Sequence, residues 1–425
     1  MTADPVFPRL RLRRATGPLL DLPWELPLGD WPADEVEFRD LPVGPSRHLV
    51  RFVVADDRVV ALKEEPLGVA RREFDVLRHL EGLELPAVAA LGLAESPERD
   101  TAILVTEYLA HSMQYRRMLA RFPLGEGEYR DRLLDAMAWL LVDLHRAGVF
   151  WGDCSLANTL FRRDGDRIQA YLVDAETSEV HPSLSDGQRA YDLEVLVENV
   201  AFGLADLAAQ AGRAVDADDA ISAAESVHSR YEAVWRELHV APRVKPIDRH
   251  AIRARVRRLN ELGFAVDEVS VEPDGEKLRL KVAVTTRRFH ARELERLTGL
   301  RALEGQARIL VNDVREYGAW LEWAEGRSIP PLGAGTRWRR EVFEPTVARI
   351  REAAGRGRDL VQAYCDVLEH KWLLSEQAGR DVGLESAIQA YLEAGAPAPE
   401  RSGEPDRTPA RGRGGDKALP SELLP

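Results

Sequence analysis

The stretch from His145 to Glu176, HRAGVFWGDCSLANTLFRRDGDRIQAYLVDAE, constrains this chain more than any other. It sets Asp153 and Asn158 at the spacing D-x-x-x-x-N. A strand-like run from Ile168 to Val173 then delivers a third polar residue, Asp174. Transfer of a phosphoryl group from a nucleotide needs such a set. One Asp accepts or orients the proton of the attacking hydroxyl, while an Asn and a second Asp hold the magnesium ions that bridge the phosphates. The chemistry is positioning and charge neutralisation, so few residues suffice, but their spacing is strict.

With 425 residues there is room for two or three domains. The chain is 45% hydrophobic and 30% charged, the profile of a soluble globular protein. Its net charge of -13 argues against nucleic-acid binding as the main task. No apolar run reaches the roughly 18 residues of a membrane span. The opening MTADPVFPRLRLRRATG has basic residues but no apolar segment after them, so it does not read as a secretory signal. Two distant cysteines, Cys154 and Cys365, make neither a disulfide framework nor a four-ligand zinc site. A cytoplasmic protein is expected, with Cys154 a small filler beside Asp153.

Punctuation divides the chain. Residues 1–32, rich in Pro and Trp, read as an irregular lead-in. Alternating runs at 35–43, 48–54 and 59–63, separated by Gly44-Pro45-Ser46 and Ala55-Asp56-Asp57, predict an antiparallel meander. Helical periodicity follows at about 69–80, and Ile103–Leu109 reads as a buried strand. A long helix over 129–147 stops at Gly148. Further helices are expected over 189–210 and 218–238, and Pro242 and Pro246 mark a boundary. A basic helix at 249–262 opens the next unit. A hairpin over 264–284 turns at Pro273-Asp274-Gly275, and mostly helical segments run to about 393. Residues 395–425 are dense in Pro, Gly, Arg and Ser and predict a disordered tail. The expected domains are therefore 33–238 and 243–394.

These motifs, in this order, resemble the protein-kinase-like fold over roughly residues 33–210. The resemblance implies an α+β architecture: a bilobal kinase-like domain, then a mostly helical α+β C-terminal domain with a β-hairpin. It implies that Lys63 contacts the nucleotide phosphates and that Glu73 on the next helix pairs with it, with Glu65 as a rival. Backbone groups of Glu107, Tyr108 and Leu109 would hold adenine. Asp153 would be the catalytic base, and Asn158 and Asp174 the metal ligands, so the implied cofactors are ATP and Mg2+.

The departures narrow the resemblance. Trp151-Gly152-Asp153 looks more like the H-G-D of small-molecule and sugar kinases than like H-R-D. Asp174-Ala175-Glu176 replaces D-F-G, which is similar to choline-kinase-like and aminoglycoside-kinase-like enzymes and makes Glu176 a further metal-ligand candidate. No A-P-E follows, so a phosphorylated activation loop is not expected. Gly44 is the lone glycine of the expected nucleotide loop, where Ser46 or Arg47 would have to replace missing amide contacts. The segments RRLNELGFAV, LTGLRALEGQARILVND and HKWLLSEQAGRDV resemble the second domain of bacterial lipopolysaccharide-kinase-like proteins, in which a kinase-like domain is fused to a domain of unknown function. The implied activity is an ATP- and Mg-dependent phosphotransferase acting on a hydroxyl acceptor, either a sugar or another small molecule. The alternatives are a non-catalytic nucleotide-binding regulator or scaffold, and an atypical protein kinase.

Two further features have competing readings. Arg249, Arg253, Arg255, Arg257 and Arg258 on the basic helix are either a solvated face paired to acids or a surface for an anionic partner. Trp320, Trp323, Trp338 and Trp372 are expected to pack in a core.

Overall fold

The computed structural model describes residues 9–14, 16–43, 46–56, 58–121, 127–210, 217–244, 249–274, 277–355 and 357–397. Gly44, most of the expected tail and the tip of the 264–284 hairpin lie outside them.

Among the described residues, the first lobe is a six-stranded antiparallel sheet in the order β1-β5-β6-β4-β3-β2. Its strands are β1 (Arg9–Leu12), β2 (Phe38–Arg39), β3 (Leu49–Ala55), β4 (Arg58–Pro66), β5 (Ala90–Ser96) and β6 (Thr101–Glu107). The expected strand over 35–43 shrinks to two paired residues. The 1–32 lead-in is not irregular throughout. It holds β1, paired to β5, and a short helix α1 (Gly17–Leu20). Leu19, Trp24, Leu28 and Trp31 then cover the outer face of the sheet, packed on Val53, Val60, Leu62, Ile103 and Val105. Trp24 and Trp31 meet edge to face at 5.3 Å, and each indole N–H donates to a carbonyl, those of Leu19 and Leu26. The inner face carries helix α2 (Leu67–Gly82), whose Ala70, Phe74, Leu77 and Leu80 form one buried stripe. Covered on both faces, β6 can be a continuous apolar run, Ile103-Leu104-Val105, rather than an alternating one.

The second lobe begins with β7 (Ser112–Gln114), α3 (Tyr115–Arg121) and α4 (Gly127–Arg146). A short pair joins β8 (Val149–Phe150) to β11 (Glu179–Val180). Between them, β9 (Thr159–Asp164) and β10 (Arg167–Leu172) form a hairpin, with β7 on the outer side of β9. Helices α5 (Asp186–Gln210) and α6 (Ala217–His239) pack beside α4, whose Leu133, Met137, Leu140, Leu141 and Leu144 are buried at helical spacing. The lobes join where Val88 N–H donates to Leu172 O and Leu172 N–H donates to Pro86 O, both at 3.0 Å.

The C-terminal part has β12 (Arg243–Val244), α7 (Arg249–Glu261), β13 (Val266–Asp274) and β14 (Lys277–Val284), then six helices: α8 (Phe289–Thr298), α9 (Glu304–Glu325), α10 (Pro331–Trp338), α11 (Glu344–Ala354), α12 (Leu360–Ala378) and α13 (Leu384–Glu393). Its core gathers Leu294, Leu310, Val314, Trp338, Phe343 and Tyr364. Of the four tryptophans expected in this core, only Trp338 is buried; Trp320, Trp323 and Trp372 are 54%, 81% and 61% exposed. On α9 the inward stripe is Leu310, Val314, Tyr317 and Leu321, and positions 320 and 323 fall outside it.

Candidate active site

Strand alternation sets the first side chains. Val60 and Leu62 point into the outer cluster, so Ala61, Lys63 and Glu65 face the cleft between the lobes. Lys63 Nζ donates to Glu73 Oε2 of α2 at 2.9 Å and to Asp174 Oδ1 at 3.1 Å. It also lies 3.0 Å from Glu65 Oε2 and 3.7 Å from Glu176 Oε2. One ammonium thus serves four carboxylates. Glu73 uses its other oxygen to accept the Ala175 N–H at 3.2 Å, which locks α2 to the segment after β10. Both oxygens of the buried Glu65 lack a hydrogen-bond partner, so its link to Lys63 is an ion-pair distance without hydrogen-bond geometry.

Charge and burial compete here. Burial by itself would lower the Lys63 pKa, but Glu73, Asp174 and Glu65 outweigh it and hold the ammonium above the usual lysine range. Burial pushes Glu65 up to about 8, aided by the neighbouring Glu73 and opposed by Lys63. Burial also raises Glu73, against the pull of Lys63.

The loop bearing Asp153 is held from α5. Asp192, fully buried, accepts the Trp151 and Gly152 N–H groups, each at 2.8 Å. Its Oδ2 also lies 3.1 Å from His145 Nε2, and His145 Nδ1 lies 2.8 Å from the Tyr231 hydroxyl. Burial lowers the His145 pKa against the pull of Asp192, and because a carboxylate only accepts, Nε2 is the donor toward Asp192. Gly152 sits at φ +80°, where a side chain is strained, and a Cβ would come 3.1 Å from Thr177 O. Asn158 Nδ2 donates to Asp153 Oδ2 at 3.0 Å and to Asp153 O at 3.1 Å. Val173 N–H donates to Asn158 O at 3.1 Å, so Asn158 and Asp174 stand beside each other at the base of the β9–β10 hairpin.

Two adjoining cavities share Ser46, Ala157, Asn158 and Asp174. The inner one, about 180 Å3, is lined by Lys63 and Glu73 and by apolar Val50, Ala61, Leu104, Leu160 and Val173. The outer one, about 440 Å3, opens onto Asp153, Glu176, Arg47, Arg116 and Asn199. Glu107, Tyr108 and Leu109 line the inner cavity at the end of β6. The sheet already uses several of their backbone groups: Glu107 N–H donates to Ala89 O, Tyr108 N–H to Val59 O, and Leu109 O accepts from Ser112 Oγ. Every site residue expected from the sequence is therefore placed around one cleft, except Gly44, which lies outside the described residues. The rivalry of Glu65 and Glu73 dissolves, since both reach Lys63.

Residues 61–214 match the lipopolysaccharide kinase (Kdo/WaaP) family, and residues 233–395 match a domain of unknown function, DUF4032. The chain joins a lipopolysaccharide-kinase-like domain to a domain of unknown function. A solved structure of WaaP in complex with acyl carrier protein aligns over 54% of this chain and 99% of its own, at 20% identity and a TM-score of 0.35. No curated protein matches. No described helix of this kinase-like protein is long and apolar enough to cross a membrane.

Sequence reasoning missed three groups at the site. His48 lies 3.1 Å from Glu176 Oε2, and with Glu65 these residues bring three ligand-type atoms within 4.8 Å of one another. Lys63 already supplies a cation between those carboxylates. The register was a usable signal: Leu49 pairs with Glu64, so His48 falls opposite Glu65. Asp192 and His145 gave no local signal, because their partners are 40 or more residues away.

Proposed function

We propose that this protein is an ATP- and Mg2+-dependent phosphotransferase acting on a hydroxyl acceptor. The observation that carries the reading is the Lys63–Glu73–Asp174 network beside Asp153 and Asn158, at the seam of two cavities. The residues fit both cofactors. Asp174 and Glu176 meet an ammonium already shared with Glu73, which leaves negative charge that a divalent cation would neutralise, and the apolar lining of the inner cavity suits a planar base. Asn158, Asp174 and Glu176 would hold Mg2+, whose contribution is to neutralise charge on the phosphates. Lys63 would bind the phosphates while Glu73 keeps it extended. The groups of Glu107–Leu109 not used by the sheet would take adenine, and Gly44 would approach the phosphates. Asp153, oriented by Asn158, would receive the acceptor's proton in the outer cavity. The exposed Arg249, Arg253, Arg257 and Arg258 of α7 would offer a surface to an anionic partner, while Arg255 is engaged with Glu237.

One observation favours a nucleotide-binding scaffold without turnover. The loop over 44–48 has a single glycine, and Ser46 Oγ is spent within the turn, accepting from His48 N–H. Titration calorimetry with ATP, with and without Mg2+, tests both readings. Magnesium-dependent binding that Asp174→Ala abolishes is expected. No heat at saturating nucleotide, and no rise in melting temperature, would remove both.

A further inference from the structure

Two helices of the domain of unknown function, α9 and α12, close on the tip of the β9–β10 hairpin. Asp164, buried at the end of β9, accepts the Gly305 and Gln306 N–H groups at 2.9 and 2.8 Å and so caps the N-terminus of α9 from the other domain. Arg163 makes a bidentate pair with Asp366 of α12, at 2.9 and 2.7 Å. Gln362 brackets the turn, its Oε1 accepting Gly165 N–H at 2.8 Å and its Nε2 donating to Gly165 O at 3.0 Å. Gly165 sits at φ +65°, and a Cβ there would come 2.7 Å from Ile309 Cδ1 and 3.1 Å from Gly305 O. The two backbones are in contact, and no side chain could be placed between them.

The other end of the same hairpin is the site. Six registered pairs, Arg167–Asp164 to Leu172–Thr159, lead to the Val173–Asn158 hydrogen bond, and Asp174 follows at once. A two-stranded ladder transmits a tilt or a slip along its length, because each strand is pinned to its neighbour at every rung. The roughly 20 Å between tip and root is short for such a ladder.

We propose that the C-terminal domain positions Asn158 and Asp174 by gripping this hairpin at its tip. Arg163, Asp164 and Gly165 are positioning residues that act through the ladder. The metal-binding consequence rests on the phosphotransferase reading; the mechanical coupling does not. The grip fixes the separation of the two ligand side chains, and nucleotide enters a site whose metal geometry the second domain has already set.

Hydrogen exchange on the full-length chain, read by mass spectrometry, tests this. Arg163→Ala with Asp366→Ala removes both charges of the pair together; the buried Arg358, 3.7 Å from Asp366 Oδ2, loses that carboxylate but keeps the Ala396 and Pro397 carbonyls and the Tyr391 hydroxyl as acceptors. Gln362→Ala, which frees both backbone groups of Gly165 without touching a charge, is the second variant and carries the test if the first does not fold. Amides at residues 158–160 and 172–176 are expected to exchange about tenfold faster in the double variant, the loss that a charge-assisted pair supports. Amides of Phe74–Leu80 in α2 should keep their wild-type protection. The Mg2+ concentration for half-maximal binding at fixed ADP should rise, while ADP affinity without Mg2+ stays the same. Faster exchange confined to residues 162–168 and to α9 and α12, with 158–160 and 172–176 unchanged, would overturn the proposal: the grip would then hold domains together and nothing more. A wild-type chain that binds no nucleotide would sink the phosphotransferase reading, and the exchange pattern would still decide the coupling.

Discussion

The cleft and the domain junction both bury carboxylates, and they treat them in opposite ways. At the junction each acid is saturated. Asp164 takes two amides, Asp366 takes Arg163 and Gln362, and Asp359 takes Arg162 and the Gln362 N–H. In the cleft Glu65, Glu73, Asp174 and Glu176 share Lys63, and Glu65 has no hydrogen bond on either oxygen. Balanced charges hold a shape and gain nothing from a ligand. Unbalanced ones weaken the empty protein and favour whatever cation relieves them.

Four substitutions break or sharpen this contrast. Asp153→Asn acts on chemistry alone and should have the largest effect, a fall in turnover of about two to four orders of magnitude with nucleotide affinity retained. Steady-state kinetics with an acceptor, beside calorimetry, would check it; equal turnover would remove Asp153 from the mechanism. Next comes the junction. Asp366→Ala removes the bidentate acceptor of Arg163 and the carboxylate beside the buried Arg358, and should cost about 2–4 kcal/mol in urea unfolding.

Glu65→Gln should do the reverse in the cleft. The folded-state pKa of Glu65, about 8, lies above its ordinary value of 4.5, so between those values the native state binds the extra proton. Its contribution to wild-type stability is fully present below pH 4.5 and lost as pH rises through 8, at a slope of no more than about 1.4 kcal/mol per pH unit. The Gln variant should flatten that slope and leave the protein more stable at pH 8.5; an unchanged slope from pH-dependent melts would contradict the cleft's charge excess. The smallest effect is expected from Arg308→Ala, because the Arg308–Asp166 pair at 2.6 Å is solvent-exposed despite lying at the junction. A change in unfolding free energy above about 1 kcal/mol would mean that exposed pairs matter there more than exposed pairs usually do.

The sequence made the cleft more legible than the junction. Asp153, Asn158 and Asp174 lie within 22 residues of one another, and Lys63 and Glu73 within ten, so local spacing and strand–helix order suffice to group them. Strand β5 was not anticipated. Its Gly92 breaks a β-forming run, yet the strand needs it, since a Cβ there would come 2.8 Å from Arg11 O of the neighbouring β1. The role of the lead-in was equally hidden. Trp24 and Trp31 lack strand or helix periodicity, and only the sheet beneath them reveals that they are core. The exposed Trp320, Trp323 and Trp372 show the converse error, in which residue type was read without helical phase. Asp192, Asp164 and Asp366 are single acids in ordinary contexts, and their significance lies in partners 40 to about 200 residues away.

The grip on the hairpin also sets a schedule for synthesis. Arg163 and its partner Asp366 are 203 residues apart. At translation rates of about 5–20 residues per second, the ribosome needs on the order of 10–40 s to add that length of chain. For most of that interval Asp153, Asn158 and Asp174 are already in the chain, but the α12 half of the clasp on their hairpin does not exist. The hairpin tip would therefore be completed in two steps: Asp164 gains its partners once Gly305 and Gln306 of α9 are made, and the Gly165 backbone gains Gln362 only with α12. A nascent chain stalled before α12 would be a protein with the right residues and an unfinished frame.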